Sequence, residues 1–404
     1  MQFLKNSYHY LLSFFSFLFY RNPSRDIFVI GITGTKGKTT CVEVLNTILN
    51  AAEKKTAVLS SISISIGKNT YPNTTETTMP GRFFIKRFLR RAVRERCEYV
   101  IIEVTSQGIL QHRHRFIDWD AIIFLNLQPE HLEVHGGLER YRAAKVSFFS
   151  YAARHSPHPL FFINQDDEHK EYFIHAIHGV GKTLFFSGHD VIVRGWLDTA
   201  FNRVHAAAVR AFLLSQRFPE SFITEQLNAF PGLPGRMEVL PVLVTTPAGE
   251  PQAFKVVIDY AHTPDSLEAL YKELKPQARN LICVVSATGG GRDRWKRPHM
   301  GRIASEYCSK ILLTDEDSYD ENLHQILSEI KTGISDSQFP ISNIYEIIDR
   351  KEAIRKAISL AREGDIVVTI GKGSERWIHI KQKKKIPWNE RECVQSILST
   401  MQSS

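Results

Sequence analysis

The run IFVIGIT, residues 27–33, leads without a break into Gly34-Thr35-Lys36-Gly37-Lys38-Thr39-Thr40 and then into a stretch with helical periodicity. No other feature constrains the chain as much, because an apolar strand, a glycine turn and a helix start in that order make a unit that belongs in a parallel sheet. The glycines let backbone amides turn towards a phosphate at the positive end of the helix. The Lys38 ammonium reaches the outer phosphates, and the Thr39 hydroxyl suits Mg2+. The spacing departs from the strict GxxxxGK[ST] form, since Ile32 stands five residues before Gly37. A glycine turn with no ligand is the plain alternative. Lys-Thr-Thr at the helix start points instead to ATP, with Gly34, Thr35, Lys36, Gly37, Lys38, Thr39 and Thr40 as its contacts.

The alternation continues through TAVLS, a helix from about Arg82, YVIIEVT and AIIFLNL. After the Pro/Gly-rich loop FPGLPGR, residues 230–236, a second series begins: FKVVIDY, a helix from about Pro264, LICVVSA, ILLTDED and DIVVTIG, each with a helical segment after it. The expected fold class is therefore α/β. Residues 27–234 read as a P-loop-type central ATPase domain with a parallel sheet and residues 235–404 as a C-terminal Rossmann-like α/β domain, with a cleft between them. Residues 1–26 form a short apolar segment. At 404 residues the chain has room for this, since about 100–200 residues make a domain.

Composition narrows the function classes. With 43% hydrophobic and 23% charged residues the chain is an ordinary globular protein. A net charge of +8 favours acidic partners. The basic run KQKKK, residues 381–385, has no aromatics to stack bases, so it reads as solvated surface and no nucleic acid is expected. The five cysteines are scattered and never spaced as CxxC, which suggests neither a disulfide framework nor a zinc site and fits a reducing cytosol. Residues 8–20, YHYLLSFFSFLFY, are apolar but fall short of the roughly 20 needed to span a bilayer. They read as a short helix packed on the next domain, with a membrane-surface or partner contact as the less favoured alternative.

Further motifs follow in order: NLQPEHLEVHGGLERYRAAKVSFF from Asn126, LPGRMEVL from Leu233, DYAHTPDSLEAL from Asp259, GGGRDRWKRPHMG from Gly289 and GKGSE from Gly371. Together with GTKGKTT they resemble the Mur ligase family, and within it the MurE-like branch of UDP-N-acetylmuramoyl-tripeptide synthetases, from about residue 27 to the C-terminus. The resemblance implies an ADP-forming ligase that activates a carboxylate as an acyl phosphate and couples it to a free amino acid, with ATP and Mg2+. It implies Glu103 and His131 as metal ligands at the ends of neighbouring strands. It also implies Lys145 as a carbamylated lysine holding a second Mg2+; read alone, Lys145 is a surface lysine. Thr77, Thr78, Thr105, Ser106, Gln107 and Arg113 would meet the acidic substrate. Arg236, Asp259, His262 and Asp265 would lie by the nucleotide, and Gly371 and Glu375 by the incoming amine. The basic cluster Arg292, Lys296 and Arg297, with Asp293, would bind phosphate or order the closed cleft.

Two departures qualify the resemblance. Only about 26 residues precede the first strand, so the domain that grips uridine diphosphate in this family is expected to be missing. The acceptor is then an acidic nucleotide-sugar peptide held differently, or a lipid-linked precursor. Where the family's DNPR segment selects diaminopimelate, this chain has Thr314-Asp315-Glu316-Asp317-Ser318-Tyr319. Tyrosine cannot pair with a carboxylate as arginine does, whereas Glu316 and Asp317 suit an ammonium, which leans towards lysine or another diamine. Ser374 stands where histidine is usual, while Glu375 is retained. The expected enzyme is a cytoplasmic monomer. The alternatives are a ligase of a folate-like or lipid-linked carboxylate and, less favoured, a nucleotide-binding partner without catalysis.

Overall fold

Strand β1 (Phe28–Thr33) is the axis of the N-terminal sheet, and its residues Val29, Ile30 and Ile32 are wholly buried. Such burial on both faces requires parallel neighbours covered by helices. The computed structural model describes residues 2–75, 77–245, 251–335 and 337–402. Two compact units result, residues 1–231 and 232–404.

In the first unit the other strands are β2 (Thr56–Leu59), β3 (Ser63–Ile66), β4 (Asn69–Pro72), β5 (Tyr99–Glu103), β6 (Ala121–Phe124), β7 (Leu160–Asn164) and β8 (Lys182–Phe186). Their order is β4-β3-β2-β5-β1-β6-β7-β8. The helices are α1 (Gln2–Tyr20), α2 (Lys38–Ala51), α3 (Arg82–Arg94), α4 (Ser106–Leu110), α5 (Leu132–His135), α6 (Leu138–His155), α7 (Lys170–Ile177), α8 (Ala200–Ser215) and α9 (Glu220–Asn228). The expected parallel sheet needs a correction at one edge. β3 is antiparallel to β2, and β4 to β3, the latter pair closed into a tight hairpin by Gly67-Lys68 with Gly67 at φ +59°.

Helix α6 lies close on β1. A Cβ on Gly31 would stand 2.8 Å from Cζ of Phe148, so only glycine admits that ring. Phe148 is one turn from Lys145, and this packing carries the lysine inwards. Around it Phe124 stacks on Phe173 at 3.8 Å, and Trp119, Phe149 and Phe161 complete a buried aromatic layer.

The second unit holds β9 (Glu238–Thr245), β10 (Pro251–Ile258), β11 (Leu281–Val285), β12 (Lys310–Leu313), β13 (Ile344–Glu346) and β14 (Ile366–Thr369) in the order β13-β12-β11-β14-β10-β9. All pair in parallel except β9, which is antiparallel to β10. The helices are α10 (Pro264–Leu274), α11 (Lys296–Tyr307), α12 (Leu323–Ser335), α13 (Arg350–Leu360) and α14 (Glu390–Gln402). β14 departs from the expected strand-then-helix order: the hairpin β15 (Trp377–His379) and β16 (Lys385–Pro387) precedes α14, and residues 381–385 lie exposed at its turn.

The cysteine expectation is corrected as well. Cys283 in β11 and Cys308 at the end of α11 form a disulfide, with Cα atoms 6.1 Å apart and a sequence separation of 25. The β11–α11 crossover returns the helix end beside its own strand, a proximity that linear spacing does not encode. Among the described residues no helix is long and apolar enough to cross a membrane.

Candidate active site

β1 delivers the chain to the glycine turn, and Gly37 takes φ +79°, a left-handed conformation open to glycine, so that α2 begins at Lys38. A Cβ there would lie 1.7 Å from Nε2 of His205. That imidazole belongs to α8 and is buried, which pushes its pKa down to about 4 and keeps it neutral. Asn126 holds the other side. Its Oδ1 accepts from the amides of Thr35 at 3.0 Å and Lys36 at 2.8 Å, and its Nδ2 donates to the Lys36 carbonyl at 3.2 Å. The Thr35 hydroxyl sits 3.1 Å from that of Tyr141 and accepts from the Gln128 amide at 2.9 Å.

Three lysines converge on this loop. Lys38 Nζ donates to the carbonyls of Gly34 and Thr35, both at 2.9 Å. Lys145 Nζ donates to the same Gly34 oxygen at 2.7 Å. Lys145 is 1% exposed, so the surface position expected of it from its own neighbours in sequence is corrected to a buried one. Burial, then the charge of Lys38 and also that of Lys36, holds its amine well below the ordinary lysine pKa, against the opposing pull of Glu130. Lys36 pairs with Glu130 at 2.9 Å.

Glu103 closes β5 and is wholly buried. It accepts from the Ser61 amide at 2.7 Å and the Ser61 hydroxyl at 3.2 Å, and the Thr39 hydroxyl also bonds to it. Burial raises its pKa, opposed first by Lys38. A second carboxylate, Glu43 of α2, accepts from the hydroxyls of Ser60 and Ser63 at 2.7 Å each, and burial raises it too. The expectation that Glu103 and His131 end neighbouring strands is corrected: β5 and β6 flank β1 on opposite sides, and His131 lies beyond β6 as the exposed cap of α5, at φ 55°. Among the described residues no group of three or more His, Cys, Asp or Glu could hold a metal by itself.

The Thr78 hydroxyl lies 2.9 Å from that of Ser61, which links it to Glu103, while Thr77 is exposed. Thr105 caps α4 by accepting from the Gly108 amide at 3.1 Å, and the Ser106 hydroxyl is 3.1 Å from Nε2 of His135. Gln107 is exposed. Arg113 donates to the Met79 carbonyl and, at 2.7 Å, to Gln111, and burial lowers its pKa.

The second unit carries a different cluster. Gly371 takes φ +91° and passes Glu316 so closely that a Cβ would stand 2.3 Å from its Oε2. Lys372 then points into three carboxylates. Its Nζ donates to Asp317 at 3.0 and 3.1 Å and to Glu375 at 2.6 Å. Burial disfavours its charge, but Glu375, Asp317 and Glu316 together raise its pKa. Lys372 faces three carboxylates, and the charges of Lys296 and Arg350 act on Glu316 as well. Burial, with Glu316 and Glu375 beside it, lifts Asp317 to about 7 although Lys372 opposes this. Glu316 accepts from Ser286 at 3.0 Å and Thr288 at 2.8 Å; burial pushes it up, but Lys372 and Lys296 hold it below its ordinary value.

Around that cluster, Tyr260 donates its hydroxyl to Glu375 at 2.9 Å and lies under the Arg236 guanidinium at 4.1 Å. Asp259 accepts from the amides of Met237 and Ala261, both at 2.7 Å, and burial raises its pKa. His262 Nδ1 is 2.8 Å from the Tyr260 carbonyl. Tyr319 stacks on His379 with ring centres 5.1 Å apart. Arg297, expected to bind phosphate or order the closed cleft, is wholly buried and paired with Glu321 at 2.9 Å and Glu329 at 2.7 Å. Asn126, His205, Glu43 and Lys372 belong to these sites and were not singled out from sequence. Lys372, between two glycines in GKGSE, and Asn126, at the head of NLQPEHLEV, had a signal.

The chain matches the Mur ligase middle domain family over residues 32–224 and the Mur ligase, glutamate ligase domain family over residues 235–373. It is 31% identical to the UDP-N-acetylmuramoyl-L-alanyl-D-glutamate–2,6-diaminopimelate ligase of Syntrophomonas wolfei subsp. wolfei, over 90% of this chain and 77% of that protein. A solved structure of a ligase of that name superposes with a TM-score of 0.60 at 27% identity, covering 93% of this chain and 78% of the other. E. coli FolC in complex with ADP shares the fold, with a TM-score of 0.65 at 17% identity over 89% of each chain.

Proposed function

The chain belongs to the Mur ligase family, and on that premise we propose that it couples an amino acid to a UDP-N-acetylmuramoyl-dipeptide or a related peptidoglycan precursor, consuming ATP. The observation that carries this reading is the convergence of Lys38 and Lys145 on the Gly34 carbonyl at a helix start, with Glu103 bonded to Thr39 close by. The substrate carboxylate bonds to the γ-phosphorus while the bond from that phosphorus to the ADP oxygen breaks. The amine nitrogen then bonds to the acyl carbon as that carbon's bond to the phosphate oxygen breaks, and phosphate leaves with the proton that the nitrogen gives up. Both steps gather negative charge, which the Lys38 ammonium and backbone amides stabilise.

Mg2+ fits the donor set. Thr39 and Glu103 offer oxygen ligands, and an ion that keeps several waters and shares phosphate oxygens needs no all-protein cage. Bound there, it would neutralise the phosphates. His131 is the further candidate ligand. Lys145, held neutral by burial, is in the state that adds CO2 to become an anionic carbamate. An intact mass without that increment in an active preparation removes this assignment.

In the second unit Glu375, shared between Lys372 and Tyr260, is the group that meets the incoming amine. The carboxylates of Asp317 and Glu375 suit the second ammonium of a diamino acid. The ATP requirement favours the cytoplasm, and Cys283 and Cys308 are buried, which shields their bridge from reductant. A phosphate-release screen of amino acids against UDP-muramoyl-dipeptide tests the whole reading. Release that needs both a diamino acid and the dipeptide is the expected result. Release only with a folate-like or lipid-linked carboxylate would move the enzyme to the alternative that its FolC-like fold keeps open.

A further inference from the structure

Helix α1 has two faces of different character. Its inner face is fixed: Ser13 and Ser16 are wholly buried, Ser13 donates to the His112 carbonyl at 2.9 Å, and Phe14 and Phe17 pack on Phe116 with ring centres 5.6 and 5.4 Å apart. The outer face carries Tyr8, Leu11, Phe15, Leu18 and Phe19, spaced three, four, three and one residues apart. These share an arc of about 100° on a helix. Their exposures are 60%, 50%, 55%, 52% and 73%. A continuous apolar stripe of this kind on an otherwise ordinary surface marks something it binds.

What lies beside the stripe selects the partner. A hollow of about 560 Å³ opens at the C-terminal end of α1, lined by Phe19, Tyr20 and Arg21, by Arg90 and by the exposed Arg87, Arg91 and Arg94 of α3. The three α3 arginines stand at intervals of four and three residues on one exposed face. Among the described residues they form no ion pair, whereas their neighbour Arg90 is tied to the Tyr20 carbonyl at 2.6 Å and to Asp26 at 3.5 Å. Arg87 and Arg91 also border a second hollow of about 350 Å³ with Tyr71 and Phe84. Guanidinium groups next to exposed aromatic and aliphatic side chains match a surface whose outer layer is phosphate and whose next layer is hydrocarbon.

We propose that α1 and the adjoining face of α3 dock this protein on an anionic phospholipid bilayer, with the stripe lying in the interface and the arginines on lipid phosphates. The helix lies on the membrane and does not cross it. The inference stands apart from the ligase reading, because no residue proposed for phosphate, metal or amine binding takes part.

Co-sedimentation of the full chain with vesicles tests it. Binding is expected to vesicles of phosphatidylcholine and phosphatidylglycerol in equal amounts, and little to phosphatidylcholine alone. Each arginine near an anionic surface is worth roughly fivefold in partitioning, so Arg91→Glu with Arg94→Glu should weaken binding at least about tenfold. Phe15→Asp with Phe19→Asp should abolish it. Salt titration of the wild-type chain reads the same electrostatic part without any variant. Failure to bind the anionic vesicles overturns the proposal, as does equal binding to both vesicle types. A dimer in sedimentation that Phe15→Asp with Phe19→Asp dissociates, without vesicle binding, would make the stripe a self-association face. Arginine-dependent binding of duplex DNA without vesicle binding would overturn it too.

Discussion

The phosphate loop and the acidic pocket of the second unit each set a lysine directly after a left-handed glycine, Lys38 after Gly37 and Lys372 after Gly371, and surround it in opposite ways. Lys38 donates to neutral carbonyl oxygens, as the uncharged Lys145 amine does, with the Glu103 carboxylate near enough to feel the Lys38 charge and Lys36 paired with Glu130. Lys372 is held by Asp317 and Glu375, with Glu316 adjacent. Carbonyls leave most of a cation's field available to a phosphate, whereas carboxylates cancel it. The same local motif thus builds a place for an anion in one unit and for a cation in the other.

Removing the first lysine should break that contrast most severely. Lys38→Met is expected to lower ATP-dependent product formation by roughly a thousandfold, read as phosphate release at saturating substrates. Gly37→Ala comes next. The added methyl meets His205 and the left-handed backbone at once, so the apparent affinity for ATP should fall roughly a hundredfold. His205→Ala in the same chain should restore about tenfold, and no restoration would place the whole cost in the backbone. Glu375→Gln should raise KM for the amino acid about tenfold while leaving KM for ATP unchanged. An equal change in both would merge the two sites.

The smallest effect concerns pH. Asp317 titrates near 7 in the fold against an ordinary 3.8, so the folded state binds this proton more tightly than the unfolded chain does. Its contribution to stability is therefore present at low pH and is lost as pH rises from about 4 through about 7. Asp317→Asn should flatten that window, raising Tm at pH 8 relative to pH 5 by about 5–10 °C compared with the wild-type chain.

What could be read from sequence was local. β1, the glycine turn and α2 announce themselves because strand burial, left-handed glycine and helix start are neighbours along the chain. The same holds for α10, whose Thr263 and Pro264 supply a capping box and a first-turn proline. The hairpin of β3 and β4 was missed although Gly67-Lys68 separates two alternating segments, because strands of four residues carry little periodicity. His205 could not be seen, and Asn126 showed only as the first residue of a motif, without its role. Each acts across a long sequence interval on a loop it does not adjoin, and an asparagine or histidine has many commoner uses. Burial of Lys145 also came from packing, since it depends on Phe148 finding Gly31. The Cys283–Cys308 bridge depends on a crossover in the same way.

The two amines on the Gly34 oxygen have a consequence for how nucleotide enters. A loop whose donors already have acceptors has no need to refold when its guest arrives; it only has to change partners. Lys38 would swing from carbonyl to phosphate while Asn126 keeps the strand-to-helix corner in place, so association should be quick and should show only a small entropic penalty from loop ordering in calorimetry.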